Sequence, residues 1–272
     1  MPTILLTGAS GLVGSRLLPR LHHAGLECRA LVRGEVALPA GVTGVRGDLL
    51  DAASLGEAVE GVDAVVHLAA LFRTDDEVAI WRANLDGTRA LIDAVTTHAP
   101  AARFVMASTG NVYDADAARP AHEDDPATPT AAYPASKLAA EALLRESELT
   151  WCILRLPFIY GDGDGHLASM STLVPRFGLH PAQTYSVMHH RDAATAVDLA
   201  LRGAMDGRIV NVCDDAPVTV LEMVELAGER LESSAEPLTN PWAGRMDSTL
   251  AGELGFRPTV PTIRAAARQG LL

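Results

Sequence analysis

Three glycines spaced three residues apart stand between an apolar run of strand length and a helical pattern, in Thr7-Gly8-Ala9-Ser10-Gly11-Leu12-Val13-Gly14. No other feature limits the fold of this chain so tightly. A strand that turns sharply into a helix needs residues without a Cβ where the backbone reverses and where helix and sheet press together. The same turn leaves the first N–H groups of the helix without partners. With the helix dipole behind them, those groups favour an anion such as a pyrophosphate. A glycine trio alone says little, but a strand before it and a helix after it mark a dinucleotide-binding loop. Gly8, Ser10, Gly11, Leu12, Val13 and Gly14 are therefore candidate cofactor contacts. Pro19 falls inside the helix pattern and predicts a kink there.

The rest of the chain repeats the alternation that the loop begins. Strand-length apolar runs occur at Thr3–Thr7, Glu27–Val32, Ala64–Leu68, Arg103–Ala107, Trp151–Arg155 and Ile209–Val212. Several are too continuously apolar to be half-exposed, which suits parallel strands covered on both faces. Helical patterns lie between them at Gly14–Ala24, Ala52–Glu60, Asn84–Thr97 and Ser136–Glu146. This order predicts an α/β fold with a doubly wound parallel sheet of Rossmann type. After Pro157 the rhythm breaks at the turn-rich Gly161-Asp162-Gly163-Asp164-Gly165 and stays irregular to about Tyr185. Further helices are expected over Arg191–Arg202 and Val220–Leu231. Pro237, Pro241, Pro258 and Pro261 should keep the tail out of the sheet. The expected division is a dinucleotide-binding domain over 1–156 and a small interleaved substrate lobe over 157–272, with 186–215 returning to the first.

Charge and composition exclude several functions. A formal net charge of −12 opposes nucleic-acid binding, which needs a basic footprint. No apolar stretch reaches the roughly 20 residues of a membrane span. The short run after Met1 lacks a basic segment before it and is expected to be a first strand, not a signal peptide. Cys28, Cys152 and Cys213 form neither a disulfide framework nor a metal spacing, so no metal is expected and a cytoplasmic location is the simplest.

The end of the second strand bears on which dinucleotide binds. An acidic residue there would hold a ribose 2′-hydroxyl, whereas an arginine suits a 2′-phosphate. Arg33 occupies the position in Leu31-Val32-Arg33-Gly34, with Glu35 the only nearby acid. NADP(H) is therefore favoured, with NAD(H) possible. In Gly47-Asp48-Leu49, Asp48 and Leu49 are placed to meet the adenine, although an aspartate here also suits a simple turn.

Positive charge in this chain comes from twenty-one arginines and a single lysine, Lys137, four residues after Tyr133. Four apart on a helix puts the phenol and the ammonium on one face. Arginine cannot replace the compact, three-donor ammonium. Tyrosine titrates near pH 10, too high for a base at neutral pH, and a nearby cation would stabilise its phenolate. Such a pair can move the proton of an alcohol while hydride moves to or from a nicotinamide. Pro134 suits a helix start, where a missing N–H costs little, and should leave Tyr133 at the helix edge.

With these residues in view the chain resembles the extended short-chain dehydrogenase/reductase family, the group of nucleotide-sugar epimerases, dehydratases and related reductases. The motifs appear in order over nearly the whole chain. They are Thr7-Gly8-x-x-Gly11-x-x-Gly14, His67-Leu68-Ala69-Ala70, Asn84-x-x-Gly87-Thr88, Ser108-Thr109-x-x-Val112-Tyr113, Tyr133-x-x-x-Lys137 and Leu154-Arg155-x-Pro157-x-Ile159-Tyr160-Gly161. The resemblance implies that Tyr133 is the general acid/base, that Lys137 holds the nicotinamide ribose and lowers the tyrosine pKa, and that Thr109 bonds the substrate oxygen. It also implies that Ser108, Leu68, Ala69 and Ala70 line the cofactor and that Pro157 to Ile159 pack on the nicotinamide. A homodimer built on a four-helix bundle from Asn84–Thr97 and Ser136–Glu146 is implied as well.

Departures from the family narrow the reaction. Dehydratases carry an acidic pair after the active-site threonine, and this chain has Gly110-Asn111. Epimerases clamp a diphosphate with arginines where this chain has Tyr185-Ser186 and Asn240-Pro241-Trp242, leaving Arg191 and Arg245 as possible substitutes. The expected activity is interconversion of a secondary alcohol and a ketone on a small sugar-like or natural-product substrate. The alternatives are a nucleotide-sugar epimerase using bound NAD and a catalytically inactive cofactor sensor. His189 and His190 are expected to be structural, His22-His23 to be surface, and Glu123-Asp124-Asp125 to be a solvated loop.

Overall fold

The computed structural model describes residues 1–114, 116 and 118–272. Its centre is a seven-stranded parallel sheet built from β1 (Thr3–Thr7), β2 (Glu27–Val32), β3 (Thr43–Arg46), β4 (Ala64–His67), β5 (Arg103–Thr109), β6 (Thr150–Leu156) and, after an excursion, β10 (Arg208–Asn211). The spatial order is β10-β6-β5-β4-β1-β2-β3, the doubly wound Rossmann order. All five residues of β1 and all four of β4 are buried, as continuous apolar runs require. Side chains alternate between the faces of the sheet. Ile4 and Leu6 join one core with Leu17, Leu18 and Leu21 of α1 (Gly14–His23) and with Ala193, Ala196 and Val197 of α7 (His190–Leu201). Leu5 joins the opposite core, formed with α2 (Leu55–Val59), α4 (Gly87–His98) and α5 (Ala132–Glu146).

A smaller lobe is assembled from distant pieces. β7 (Phe158–Tyr160) pairs in parallel with β9 (Val187–His189), and β8 (Thr184–Tyr185) runs antiparallel to β11 (Val218–Thr219). Around them pack α6 (Met170–Phe177), α8 (Val220–Leu226) and α10 (Ile263–Arg268), with α9 (Thr249–Glu253) nearer the sheet edge. Thr219 and Glu222 form a capping box on α8, and Arg264 of α10 pairs with Glu222.

The observed elements depart from the expected ones in five places. The helix before β5 begins at α3 (Glu77–Trp81), capped by Asp76, and passes through a π-helical segment Arg82–Asp86 before α4. The wide turn holds Asn84 buried, with its amide bonded to both backbone groups of Leu71 at 2.7 and 2.9 Å. α5 starts at Ala132, which places Tyr133 in the first turn and not at the edge. Pro134 is tolerated there because the N–H groups of a first turn have no helical partner. The stretch expected to be irregular contains α6, and α8 stops at Leu226, short of Gly228 with its left-handed φ of 83°. α1 continues through Pro19, where the Arg20 guanidinium donates to the Arg16 carbonyl at 2.7 Å.

Candidate active site

The glycine loop sits where β1 and β4 end side by side, at the point where the chain's winding reverses. In doubly wound sheets that crevice is where ligands bind. Gly8 has φ 73°, and a Cβ on it would lie 2.7 Å from the Ala69 nitrogen. A Cβ on Gly14 would collide with the Gly8 carbonyl. Gly11 closes the turn with its N–H on that same carbonyl at 3.0 Å. Ser10 and Gly11 are exposed, and the α1 N-terminus carries no side-chain cap and no acid in its first turn. This cradle of backbone donors fits a dinucleotide pyrophosphate. Arg33 lies exposed just beyond β2. One Asp48 oxygen accepts from Leu50 N at 3.0 Å, so this aspartate at least shapes its turn. Leu49 abuts Gly87.

A chain of hydrogen bonds joins this loop to the helix of the tyrosine. The Ala69 N–H donates to Thr7 Oγ1 at 3.3 Å, and the Thr7 hydroxyl meets His67 Nδ1 at 2.7 Å. His67 Nε2 meets Thr88 Oγ1 at 2.9 Å, and the Thr88 hydroxyl donates to the Asn84 carbonyl at 2.6 Å. The Asn84 amide donates to Ser136 Oγ at 3.0 Å, and the Ser136 hydroxyl donates to the Tyr133 carbonyl at 2.8 Å. Satisfying each hydroxyl in turn fixes His67 as the neutral Nε2–H tautomer. Burial first, and the Lys137 charge second, push its pKa down to about 3, so it stays neutral.

Thr109 ends β5, buried, with its hydroxyl accepting from Asn111 N at 3.2 Å and acting on the Tyr133 phenol. The tyrosine is half-buried with its ring 5.3 Å from that of Phe72. Burial pushes its pKa up to about 12, opposed by the Thr109 hydroxyl. Lys137 is 2% exposed; burial pushes its pKa down to about 8, against the pull of Glu141 one turn further on. The expected lowering of the tyrosine pKa by Lys137 is not what this arrangement shows. Thr109, and not the ammonium, is what opposes burial at the phenol. Ser108 is buried and donates its hydroxyl to Glu141, which also holds Arg155 in an ion pair of 2.7 Å. Pro157 is half-buried, whereas the Ile159 side chain lies in the main core and its carbonyl takes His166 Nδ1 at 2.7 Å.

Sequence reasoning did not single out His67, Glu141 or Arg155. Glu141 continues the four-residue spacing of Tyr133 and Lys137, and Arg155 interrupts an apolar strand; both are signals that could have found the pair. His189 and His190 are buried, the first bonded to the Leu271 carbonyl at 2.9 Å and the second to Asp164 at 2.8 Å. Arg191 lies 3.9 Å from Asp162. Glu123 departs from the expected solvated loop. It is half-buried, its carboxylate accepts Asn211 N at 2.8 Å, and burial raises its pKa. Among the described residues, no group of three or more His, Cys, Asp or Glu could hold a metal ion, and no helix is long and apolar enough to cross a membrane.

A glycine-loop Rossmann sheet whose switch point adjoins a Thr–Tyr–Lys set defines a dinucleotide-dependent enzyme. Residues 4–213 match the NAD dependent epimerase/dehydratase family, and the chain belongs to it. A 4-hydroxy-2-methyl-3-oxo-4-farnesyl-3,4-dihydroquinoline-1-oxide ketoreductase of Stigmatella aurantiaca is 32% identical over 96% of this chain and 83% of its own. The UDP-glucose 4-epimerase of Thermus thermophilus, solved with NAD, is 26% identical with a TM-score of 0.78, covering 98% of this chain and 96% of that one. MoeE5 in complex with UDP-glucose and NAD is 26% identical with a TM-score of 0.79, at 98% and 96% coverage. The chain is accordingly an NAD(P)-dependent enzyme of the extended short-chain dehydrogenase/reductase type.

Proposed function

We propose that this enzyme reduces a ketone to a secondary alcohol, with Tyr133 as proton donor, Thr109 as the hydrogen-bonding partner of the carbonyl oxygen and Lys137 as the group that holds the nicotinamide ribose. The observation that carries this reading is Tyr133 set beside the Thr109 hydroxyl, which opposes the effect of burial on the phenol, one helical turn from a buried, single lysine. When bound, the cofactor supplies or accepts a hydride at the carbinol carbon. The chain's own residues handle the oxygen and its proton. A phenol held near 12 is protonated at neutral pH, so it is ready to give its proton to the oxygen as the carbon accepts hydride. The Thr109 hydroxyl then stabilises the phenolate left behind. The ketoreductase relative supports reduction over epimerisation.

Single features support the finer assignments. Arg33, exposed beyond β2, supports a preference for NADP(H) over NAD(H). Gly8 to Gly14, with Asp48, Leu49, Leu68, Ala69 and Ala70, would carry the rest of the cofactor; Pro157 would border the nicotinamide. The part over 1–156 would bind the cofactor and that over 157–272 the substrate, with 186–215 returning to the sheet. A homodimer through α4 and α5 in a reducing cytoplasm, where the three buried cysteines stay free, completes the reading. The test is to identify the cofactor retained on purification and to screen carbonyl compounds for NADPH oxidation. Net oxidation, lost in Tyr133→Phe with cofactor binding kept, is expected. Retained NAD with isomerisation and no net redox change would overturn it. Arg33→Asp should reverse the cofactor preference.

A further inference from the structure

Two arginines stand unpaired at the carboxyl edge of the sheet, one at the end of β2 and one at the end of β3. β2 and β3 run parallel with Val32 level with Arg46, and the Gly47 N–H donates to the Val32 carbonyl at 3.0 Å. Arg46 precedes that donor and Arg33 follows that acceptor, so the two flank a single hydrogen bond. Register partners lie about 4.8 Å apart and the next Cα about 3.8 Å further on, which keeps the two Cα atoms within about 9 Å. Both residues are exposed, and among the described residues no ion pair, hydrogen bond or ring contact engages either guanidinium. The other arginines of this edge are occupied. Arg29 donates to the Glu60 carbonyl at 2.8 Å, Arg16 to the Leu12 carbonyl at 3.1 Å, and Arg20 pairs with Asp162 at 2.6 Å. Two like charges set side by side on neighbouring strands cost the fold stability and return none.

Their place in the sheet says what they face. Level partners on parallel strands leave the sheet on one face, and Val32 packs against the core that α1 covers, so Arg46 belongs to the α1 side. The order β1-β2-β3 sets both arginines outward from the glycine loop. A dinucleotide with its pyrophosphate at the α1 N-terminus brings its adenosine ribose to the end of β2. A phosphate monoester on that ribose carries a charge of about −1.5 to −2 and three acceptor oxygens, which matches two guanidinium forks. A bare 2′-hydroxyl needs one acceptor and gains nothing from a second cation. The acids nearby do not neutralise the pair. Glu35 is exposed, Asp48 gives an oxygen to the Leu50 N–H at 3.0 Å, and neither holds an arginine.

We infer that Arg46 is a second ligand for the 2′-phosphate of the cofactor, forming with Arg33 a two-arginine site for a phosphate monoester at the adenosine end of the crevice. This rests on the NADP(H) reading above and adds to it a residue from a different strand. Two forks on one dianion share its charge, so each arginine contributes to the choice between the two dinucleotides and neither carries it alone.

The experiment is calorimetric titration of wild type, Arg46→Ala, Arg46→Lys and Arg33→Ala with NADPH and NADH, and with the fragments 2′,5′-ADP and 5′-AMP. Arg46→Ala should raise the Kd of NADPH and of 2′,5′-ADP about tenfold and move NADH and 5′-AMP far less. Arg46→Lys keeps the charge but not the fork and should recover part of the loss. Added salt should weaken NADPH binding more steeply in wild type than in Arg46→Ala. All variants should melt with wild type, because both side chains are exposed. An unchanged NADPH-to-NADH ratio of Kd in Arg46→Ala overturns the role of Arg46, and the same ratio falling in Arg33→Ala leaves the NADP(H) reading standing. If wild type binds NADH as tightly as NADPH, the NADP(H) preference itself falls, and the two-arginine site with it.

Discussion

Removing Arg155 should destabilise this protein more than any surface change, and removing its partner as well should restore much of the loss. Arg155 and Glu141 are 3% and 1% exposed and meet through two bonds, Nη2 to Oε2 at 2.7 Å and Nε to Oε1 at 3.1 Å. The guanidinium also donates to the Tyr113 hydroxyl at 2.9 Å and the Glu123 carbonyl at 3.1 Å. Tyr113 passes the chain on to Asn211 of β10 at 2.6 Å. In Arg155→Met the Glu141 carboxylate loses both guanidinium bonds and keeps the Ser108 hydroxyl and the more distant Lys137 charge. A buried charge stripped of its counter-ion costs about 3–5 kcal/mol. For a chain of this size that is a fall in Tm on the order of 10 °C. In Arg155→Met/Glu141→Leu neither charge of the pair is left over, although the Lys137 ammonium loses the support of Glu141. The remaining loss is the orphaned Ser108 hydroxyl and the Glu123 carbonyl left without its donor, about 1–2 kcal/mol together.

Urea unfolding of wild type, the two single variants and the double variant, followed by circular dichroism, closes the cycle. The expected coupling is at least about 2 kcal/mol in favour of the pair. The reasoning fails if Arg155→Met costs under about 1 kcal/mol, or if the double variant is no more stable than the worse single one. Glu141 has a second effect, because it supports the Lys137 charge. Glu141→Leu should therefore lower the lysine pKa further below about 8, which a pH profile of cofactor affinity reads independently of stability.

Lys137 itself makes a pH prediction. Its folded pKa, pushed by burial from 10.5 to about 8, means that the fold binds fewer protons than the unfolded chain between those values. The burial cost, on the order of 3 kcal/mol, is fully present below about pH 8 and relieved as pH rises to 10.5, so Lys137→Met should stabilise at pH 7 and have lost this gain by about pH 11. Asp214 acts over a lower window. Burial raises its carboxyl from 3.8 to about 8, so its proton is kept in the fold and stability should fall as pH rises from about 4 to 8. Asp214→Asn should flatten that slope in denaturation curves; an unchanged slope would reject the assignment. Gly14→Ala should abolish dinucleotide binding by calorimetry, since its Cβ collides with the Gly8 carbonyl that shapes the loop.

What was legible in the sequence was what a short stretch of chain determines. β1, the turn at Gly8 and α1 follow one another without interruption, so hydrophobic period and glycine spacing place them together. Tyr133 and Lys137 share a helical turn, and their common face is arithmetic. His67 was quoted in a motif, yet its neutral locked state depends on Thr7, Thr88 and Lys137, which come together only when β1, β4, α4 and α5 are packed. Glu123 looked solvated because its acidic neighbours did. Its burial follows from the Asn211 backbone reaching it from 88 residues away.

The substrate lobe shows the same division more sharply. Its strands are two or three residues long, and a period of two cannot be read from so few. What makes them strands is pairing across distance, Phe158 with Val187 and Val218 with Tyr185, and the bridge of Ala121 to Met246. That last bridge carries Met246 over Gly110, so the wall beside Thr109 comes from a segment far later in the chain. Cofactor chemistry in this protein is written in local motifs, whereas substrate choice is set by long-range closure. Substitutions in the 240–247 segment should therefore alter selectivity more than they alter cofactor affinity, and a chimera exchanging it with a relative separates the two effects.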